Sequence, residues 1–407
     1  MFEEMSTTFV LLFQMSLLMF LALVGYLLAA KINQSAVVVM ILFGILIGPS
    51  LLGLIVYKDS PILQSFAELG AIVLLFVIGL EFKIKEIFNL KYGVIALIGV
   101  IVPWVCGFFL ADLFGYNFNS AVFVGTALTA TSVAITANVL REMGKLQSEA
   151  AKAIIGAAVI DDIFGLLFLS FSMQIVKGTL SFLPLVLIIM GALVFIVLGA
   201  YIGYTFLSRL IEKLDATKIA KKVPEMIFIF AIMIAFVYAM IAEAIGLSAI
   251  VGAFLAGISL EGVTIWRSKS HKEGAEYLRI IFASIFFVSL GVLADFHSLT
   301  LQVIWFLVAL TFVAIITKLV GCYIGARLVG LSHKVSSIVG VGMIPRGEVA
   351  MIVALIGLEK LEVIHEDIYI SLILMSLLTT LIAPVLLRYV YRKSEISKNS
   401  AQINSQT

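Results

Sequence analysis

With 407 residues, 62% of them hydrophobic and 13% charged, and a mean hydropathy of +1.18, the chain lies outside the range of soluble globular proteins and reads as an integral membrane protein. The strictly alternating ten-residue pattern of an outer-membrane barrel is absent, so the spans are helical. The net charge of +2 says little, because in a membrane protein the placement of charge matters more than its sum, and no nucleic-acid partner is expected.

A helix needs about 20 apolar residues to cross the hydrocarbon. On that basis spans are predicted at 7–30, 36–54, 64–82, 92–114, 119–139 and 149–174. Seven more follow at 181–210, 223–244, 247–261, 276–294, 300–329, 335–358 and 366–390. The first is preceded by Glu3 and Glu4 rather than by a basic stretch, which marks a span and not a cleaved signal. Cys106 and Cys322 each sit inside an apolar run and are expected as free thiols. The four histidines, His271, His297, His333 and His365, fall in predicted loops, so a metal site built from them is not expected.

Thirteen spans place the termini on opposite sides. Loops on one side carry Lys31, Lys83–Lys91, Arg141, Lys145, Arg209–Lys222 and further Lys and Arg up to Lys398, whereas the others hold only Lys58, Lys177 and Lys360. The positive-inside rule then puts the amino terminus outside and the carboxyl terminus in the cytoplasm. The basic loop Arg209–Lys222 follows the seventh span, leaving six spans before that span and six after the loop. Seven crossings separate corresponding spans, an odd number, so the second half runs inverted, a common plan of secondary transporters. Short echoes agree: GILIGPSLLG with IVGAFLAGISLEG, and LLFVIGLEF with FFVSLGVLADF. After Tyr391 only the polar tail RKSEISKNSAQINSQT remains, and 393–407 is expected as a short cytoplasmic tail.

Polar residues at mid-span carry the chemistry. The fifth span holds Thr126, Thr129, Thr131, Ser132 and Thr136 near its middle; they either bond back to their own helix or line a site. In the sixth, IIGAAVIDDIFGLLFL contains Asp161 and Asp162, and an acid at the centre of a membrane helix costs about 2.5–3.5 kcal/mol without a partner. Lys318 lies close to the centre of the eleventh span, too deep to snorkel easily, and is expected to meet a carboxylate. Adjacent helical residues point about 100° apart, so one of the two acids meets Lys318 while the other faces an aqueous cavity, and geometry does not choose between them. In the twelfth span Pro345, with Gly342 and Gly347, predicts an interruption near Arg346 and Glu348. That pair is either a structural ion pair or a means of neutralising the ends of the half-helices.

GPSLLG at 48–53, ELGAIVLLFVIGLEF at 68–82, TATS at 129–132, IDDI at 160–163, Lys318 and PRGE at 345–348 together resemble the monovalent cation:proton antiporter-2 family. Within it they are similar to the short sodium/proton antiporters of the NapA and GerN type. The resemblance implies an all-α polytopic membrane protein of the sodium/proton antiporter fold, with 13 transmembrane helices, two inverted six-helix repeats joined by a linker helix and two interrupted crossing helices. Residues 1–392 would form one transmembrane unit: a mobile core at 64–174 and 276–390, a dimerisation domain at 7–54 and 223–261, and the linker helix at 181–210. It implies a homodimer in the cell membrane that moves its core in an elevator-like way and uses no cofactor and no enzymatic chemistry. Asp162 would carry sodium and protons in turn, with Thr131 and Ser132 in the unwound stretch beside the ion, and Asp161 would pair with Lys318. Potassium-efflux relatives carry Gln-Asp in place of the acid pair, which this chain lacks; potassium/proton exchange stays the alternative, ahead of an ion-coupled symporter of organic solutes. A passive pore would need a polar face along a whole span, and an intramembrane aspartyl protease two separated acids; neither is present.

Overall fold

The structure, a computed structural model, describes residues 7–55, 61–87, 89–179, 181–223, 225–261, 269–297 and 299–404. Among these residues every regular element is helical. The chain begins with α1 (Thr7–Ile32), α2 (Ala36–Ile47), α3 (Pro61–Gly79), the single turn α4 (Ile84–Ile87), α5 (Leu90–Leu113) and α6 (Phe118–Ala127). It continues through α7 (Val133–Glu142), α8 (Glu149–Lys177), α9 (Phe182–Ile202), α10 (Ser208–Asp215), α11 (Lys218–Lys222) and α12 (Glu225–Ala244). The remainder is α13 (Ala249–Ser259), α14 (Lys269–Val292), α15 (Leu301–Leu328), α16 (His333–Gly342), α17 (Glu348–Leu355) and α18 (Glu366–Asn404). Among the described residues eight helices are long and apolar enough to cross a membrane, and α2, α6 and α13 are shorter apolar helices.

Boundaries depart from expectation where local chemistry decides them. The run at 36–54 is helical only to Ile47, because Pro49 disfavours helix at Gly48 and has no amide to donate. The chain turns back there, with Leu52 N–H donating to Leu46 O at 3.1 Å and Leu54 N–H to Ile47 O at 3.0 Å. The polar tail, by contrast, continues α18 to Asn404. His333 opens α16 and His271 falls within α14, so neither is in a loop.

The chain forms two compact units: Met1–Glu86 with Val186–His297, and Ile87–Leu185 with Ser298–Thr407. In the first, α3 packs on α13 and α14, and α2 on α14. Backbones touch at glycines, the packing that replaces a hydrophobic drive between membrane helices. A Cβ on Gly44 would lie 2.7 Å from Gly291 Cα, and one on Gly79 would lie 3.0 Å from Gly257 Cα. The two contacts correspond: replacing each segment by the one whose sequence echoes it, α2 by α13 and α14 by α3, turns the first contact into the second. In the first unit 64–82 and 276–294 pack with α2 and α13, whereas the expected grouping set them in a core at 64–174 and 276–390. Their glycines are matched to α2 and α13, and Gly70 to the backbone of Phe282.

In the second unit α5 lies along α15 and against α6 and α8, and α15 packs on α16 and α18. Trp104 Nε1 donates to Thr126 Oγ1 at 3.2 Å, and Thr126 Oγ1 shares a 2.6 Å bond with Ser172 Oγ, which ties α5, α6 and α8 together. Beyond the end of α5, Tyr116 Oη donates to Asp367 Oδ2 in the first turn of α18 at 3.0 Å. Burial, followed by this bond to a carboxylate, raises the Tyr116 phenol above its ordinary range. Folding therefore favours the neutral phenol, a contribution that is full below pH of about 10 and lost as the pH rises beyond it. Tyr116→Phe is expected to cost about 1 kcal/mol. Thermal melts in detergent check this: the gap between wild type and variant is present at neutral pH and closes in alkali.

Candidate functional site

Two helices of the second unit are interrupted, each for a reason in its sequence. Between α6 and α7 the TATS stretch replaces helix, since Thr and Ser hydroxyls compete for backbone partners; Thr129 Oγ1 donates to Thr126 O at 2.7 Å. Between α16 and α17 Pro345 removes an amide and Gly347 adopts an extended conformation. The breaks meet. Ser132 N–H donates to Pro345 O at 2.8 Å, Thr136 Oγ1 donates to Gly342 O at 2.6 Å, and a Cβ on Gly347 would lie 2.7 Å from Ser132 Oγ.

Two cations reach this junction. Lys318 Nζ, from α15, donates to Asp161 Oδ1 on α8 at 2.8 Å and to Thr129 O at 2.7 Å, and both side chains of the pair are 0% exposed. Arg346, also 0% exposed, donates through Nη1 to Ala130 O at 2.5 Å and through Nη2 to Ala314 O at 3.2 Å. The carbonyls left without helical partners at the end of α6 are thus covered by positive charge, the sign that a helix C-terminus favours. Arg346, expected beside the end of its own half-helix, reaches across the junction to a carbonyl just beyond α6 on the other broken helix. Glu348 is the first residue of α17, a favourable place for an acid, and its side chain lies outside the described residues.

The adjacent acids sit in different surroundings. Asp161 is buried against Lys318, whereas Asp162, one residue and about 100° further round α8, is half-buried. Among the described residues, three buried oxygens beside the break find no hydrogen-bond partner of good geometry: Thr131 Oγ1, Ser132 Oγ and Asp161 Oδ2, with the Thr131 hydroxyl set beside the Asp161 carboxylate. Ser132 is the N-cap of α7, a position where a serine oxygen ordinarily accepts from the helix amides, yet it makes no such bond. So Thr126 and Thr129 are the hydroxyls that bond back to their own helix, and Thr131 and Ser132 are not. Oxygen donors of this kind suit a hard cation. Among the described residues no group of three or more His, Cys, Asp or Glu could hold a metal ion.

Sequence reasoning missed the hydroxyls that hold the second break. Thr379 Oγ1 accepts from Arg346 N–H at 3.2 Å, Thr380 Oγ1 donates to Arg346 O at 2.7 Å, and Ser376 Oγ donates to Gly347 O at 3.4 Å. All three are buried on α18. The spacing i, i+3, i+4 in SLLTT, which places them on one helical face, was the available signal.

Residues 18–393 match the family described as Sodium/hydrogen exchanger, transmembrane. The chain is 34% identical over 381 residues to the Na(+)/H(+)-K(+) antiporter GerN of Bacillus cereus, covering 93% of this chain and 96% of that protein. It is 35% identical over 379 residues to a Na(+)/H(+) antiporter of Enterococcus hirae, covering 91% and 95%. Among solved structures, the sodium proton antiporter MjNhaP1 from Methanocaldococcus jannaschii superposes with a TM-score of 0.70 at 17% identity, over 94% of this chain and 96% of that one. At that identity the likeness is one of fold.

Proposed function

The chain belongs to the sodium/hydrogen exchanger family, and from that premise we propose how its site performs the exchange. The protein is a membrane transporter, not an enzyme, and it exchanges sodium for protons. The observation that carries the site reading is the junction of two broken helices with Lys318 and Asp161 paired inside it and the half-buried Asp162 next along α8. Asp162 takes sodium, with oxygens from Thr131 and Ser132 and water completing a hard-cation shell. It takes a proton when the site is offered to the other side. The two cargoes compete for one carboxylate, and that competition couples them.

Sodium near the acid pair draws Asp161 away from Lys318. The lysine then loses its counter-charge and releases its proton. Two protons move per sodium, and the cycle carries net charge. Arg346 and Glu348 compensate the broken helix ends during the movement. The second unit holds every one of these residues and is the part that moves, in an elevator-like way. Thirteen crossings in two inverted six-helix repeats, with the amino terminus outside, complete the topology. The matched glycine contacts of α2 with α14 and of α13 with α3 support the inversion. A homodimer in the cell membrane forms through α1 and α12.

Counterflow of labelled sodium in proteoliposomes tests the reading. An imposed proton gradient is expected to drive sodium uptake against its own gradient, with lithium and potassium as competitors that rank the cations. Sodium movement indifferent to the proton gradient defeats it. Because the name of the Bacillus cereus relative includes potassium, uptake driven equally by potassium would favour the potassium reading.

A further inference from the structure

We infer that Thr380 and Thr379 of α18 are positioning residues that set the cation affinity of the site from behind, through the peptide on either side of Arg346. This rests on the site assignment made above. The first break is held by charge, Lys318 and Arg346 on the carbonyls of Thr129 and Ala130; the second is held by hydroxyls of α18. The difference matters because the held peptide is itself in contact with the cation oxygens. Gly347 lies against the Ser132 side chain, and Ser132 N–H is bonded to Pro345 O. The guanidinium that follows from the Arg346 backbone is bonded to Ala130 O, next to Thr131. Any shift of the 345–347 backbone therefore moves Thr131 and Ser132, although no α18 hydroxyl bonds to either of them.

Thr380 carries the larger share. Its 2.7 Å bond to Arg346 O is the shortest of the three α18 bonds to this peptide, and both partners are buried, so losing the hydroxyl leaves a carbonyl unsatisfied inside the protein. Pro384, four residues on, has no amide to donate to Thr380 O, so the helix is least constrained by its own ladder at the turn that holds the break. Valine has the shape of threonine without the hydroxyl. Serine keeps the hydroxyl and loses the methyl.

The test is sodium/proton exchange in proteoliposomes across sodium concentration and pH for Thr380→Val, Thr380→Ser and Asp162→Asn, alongside melting temperature. Thr380→Val is expected to raise the apparent KM for sodium about tenfold, a factor that corresponds to about 1.4 kcal/mol. Its maximal rate should stay within about twofold and its pH profile should move, while Thr380→Ser returns both KM and profile to wild type. A Thr380→Val protein with wild-type KM and pH profile overturns the inference, as does a Thr380→Ser protein impaired to the same degree. If Thr380→Val does not assemble, Thr379→Val, which removes the acceptor of the Arg346 amide together with a local bond to Ser376 O, carries the same expectation and is read in the same way. Retained exchange in Asp162→Asn would instead overturn the site assignment, so the two failures are distinguishable.

Discussion

Asp162→Asn is expected to remove sodium-driven proton movement at every pH, with no recovery in acid or alkali. An amide neither takes up a proton in this range nor offers the negative charge that draws a hard cation out of water. Asp161 cannot substitute for it, because its Oδ1 is engaged by Lys318 at 2.8 Å and its side chain is 0% exposed. The variant should nonetheless fold as well as wild type, since replacing a half-buried acid by its neutral isostere relieves a desolvation cost. Asp161→Asn is the informative contrast. It strips a fully buried lysine of its counter-charge, a loss of about 3–5 kcal/mol for a broken buried pair. A pH-sensitive dye inside proteoliposomes measures the first effect and thermal melts measure the second. Exchange that survives Asp162→Asn would place the cargo elsewhere.

The sequence carried this contrast only in part. That two neighbouring acids in an apolar helix must have unequal partners follows from helical geometry; which one meets Lys318 came from resemblance, and the structure places Asp161 there. Arg346 was legible as a charge at a helix interruption, but its partners are the backbone carbonyls of Ala130 and Ala314, and a carbonyl leaves no trace in a residue type. The hydroxyls of Ser376, Thr379 and Thr380 were passed over because Ser and Thr in a long apolar helix ordinarily satisfy themselves on the preceding turn, as Thr379 Oγ1 also does on Ser376 O at 2.9 Å. That the chain is built of apolar helices was readable because hydropathy is local. Which helix packs on which was not, because it is decided by which glycine meets which backbone, Gly44 with Gly291 and Gly79 with Gly257, and that complementarity is a property of pairs.

Lys318→Gln carries the second large effect: exchange should persist at a reduced rate while its response to membrane potential disappears. In the proposed cycle the lysine supplies the second proton, so a neutral side chain leaves one proton per sodium and no net charge to move. The geometry allows such a variant to survive. Lys318 makes two bonds, to Asp161 Oδ1 and Thr129 O, and a glutamine amide has two N–H donors for the same two acceptors. What it cannot provide is a counter-charge for Asp161, so stability should fall, by up to about 3–5 kcal/mol. Pairing it with Asp161→Asn makes a neutral, hydrogen-bonded pair in place of the ionic one and should recover most of that loss, since a buried ion pair as a whole contributes little net stability. The double variant should then exchange one for one, insensitive to voltage, and melt near wild type. Potassium diffusion potentials imposed with valinomycin on proteoliposomes measure the voltage response directly. If Lys318→Gln still speeds and slows with the imposed potential as the wild type does, Lys318 is not a proton carrier and its part is structural: counter-charge for Asp161 and, through Thr129 O, anchor of the first break.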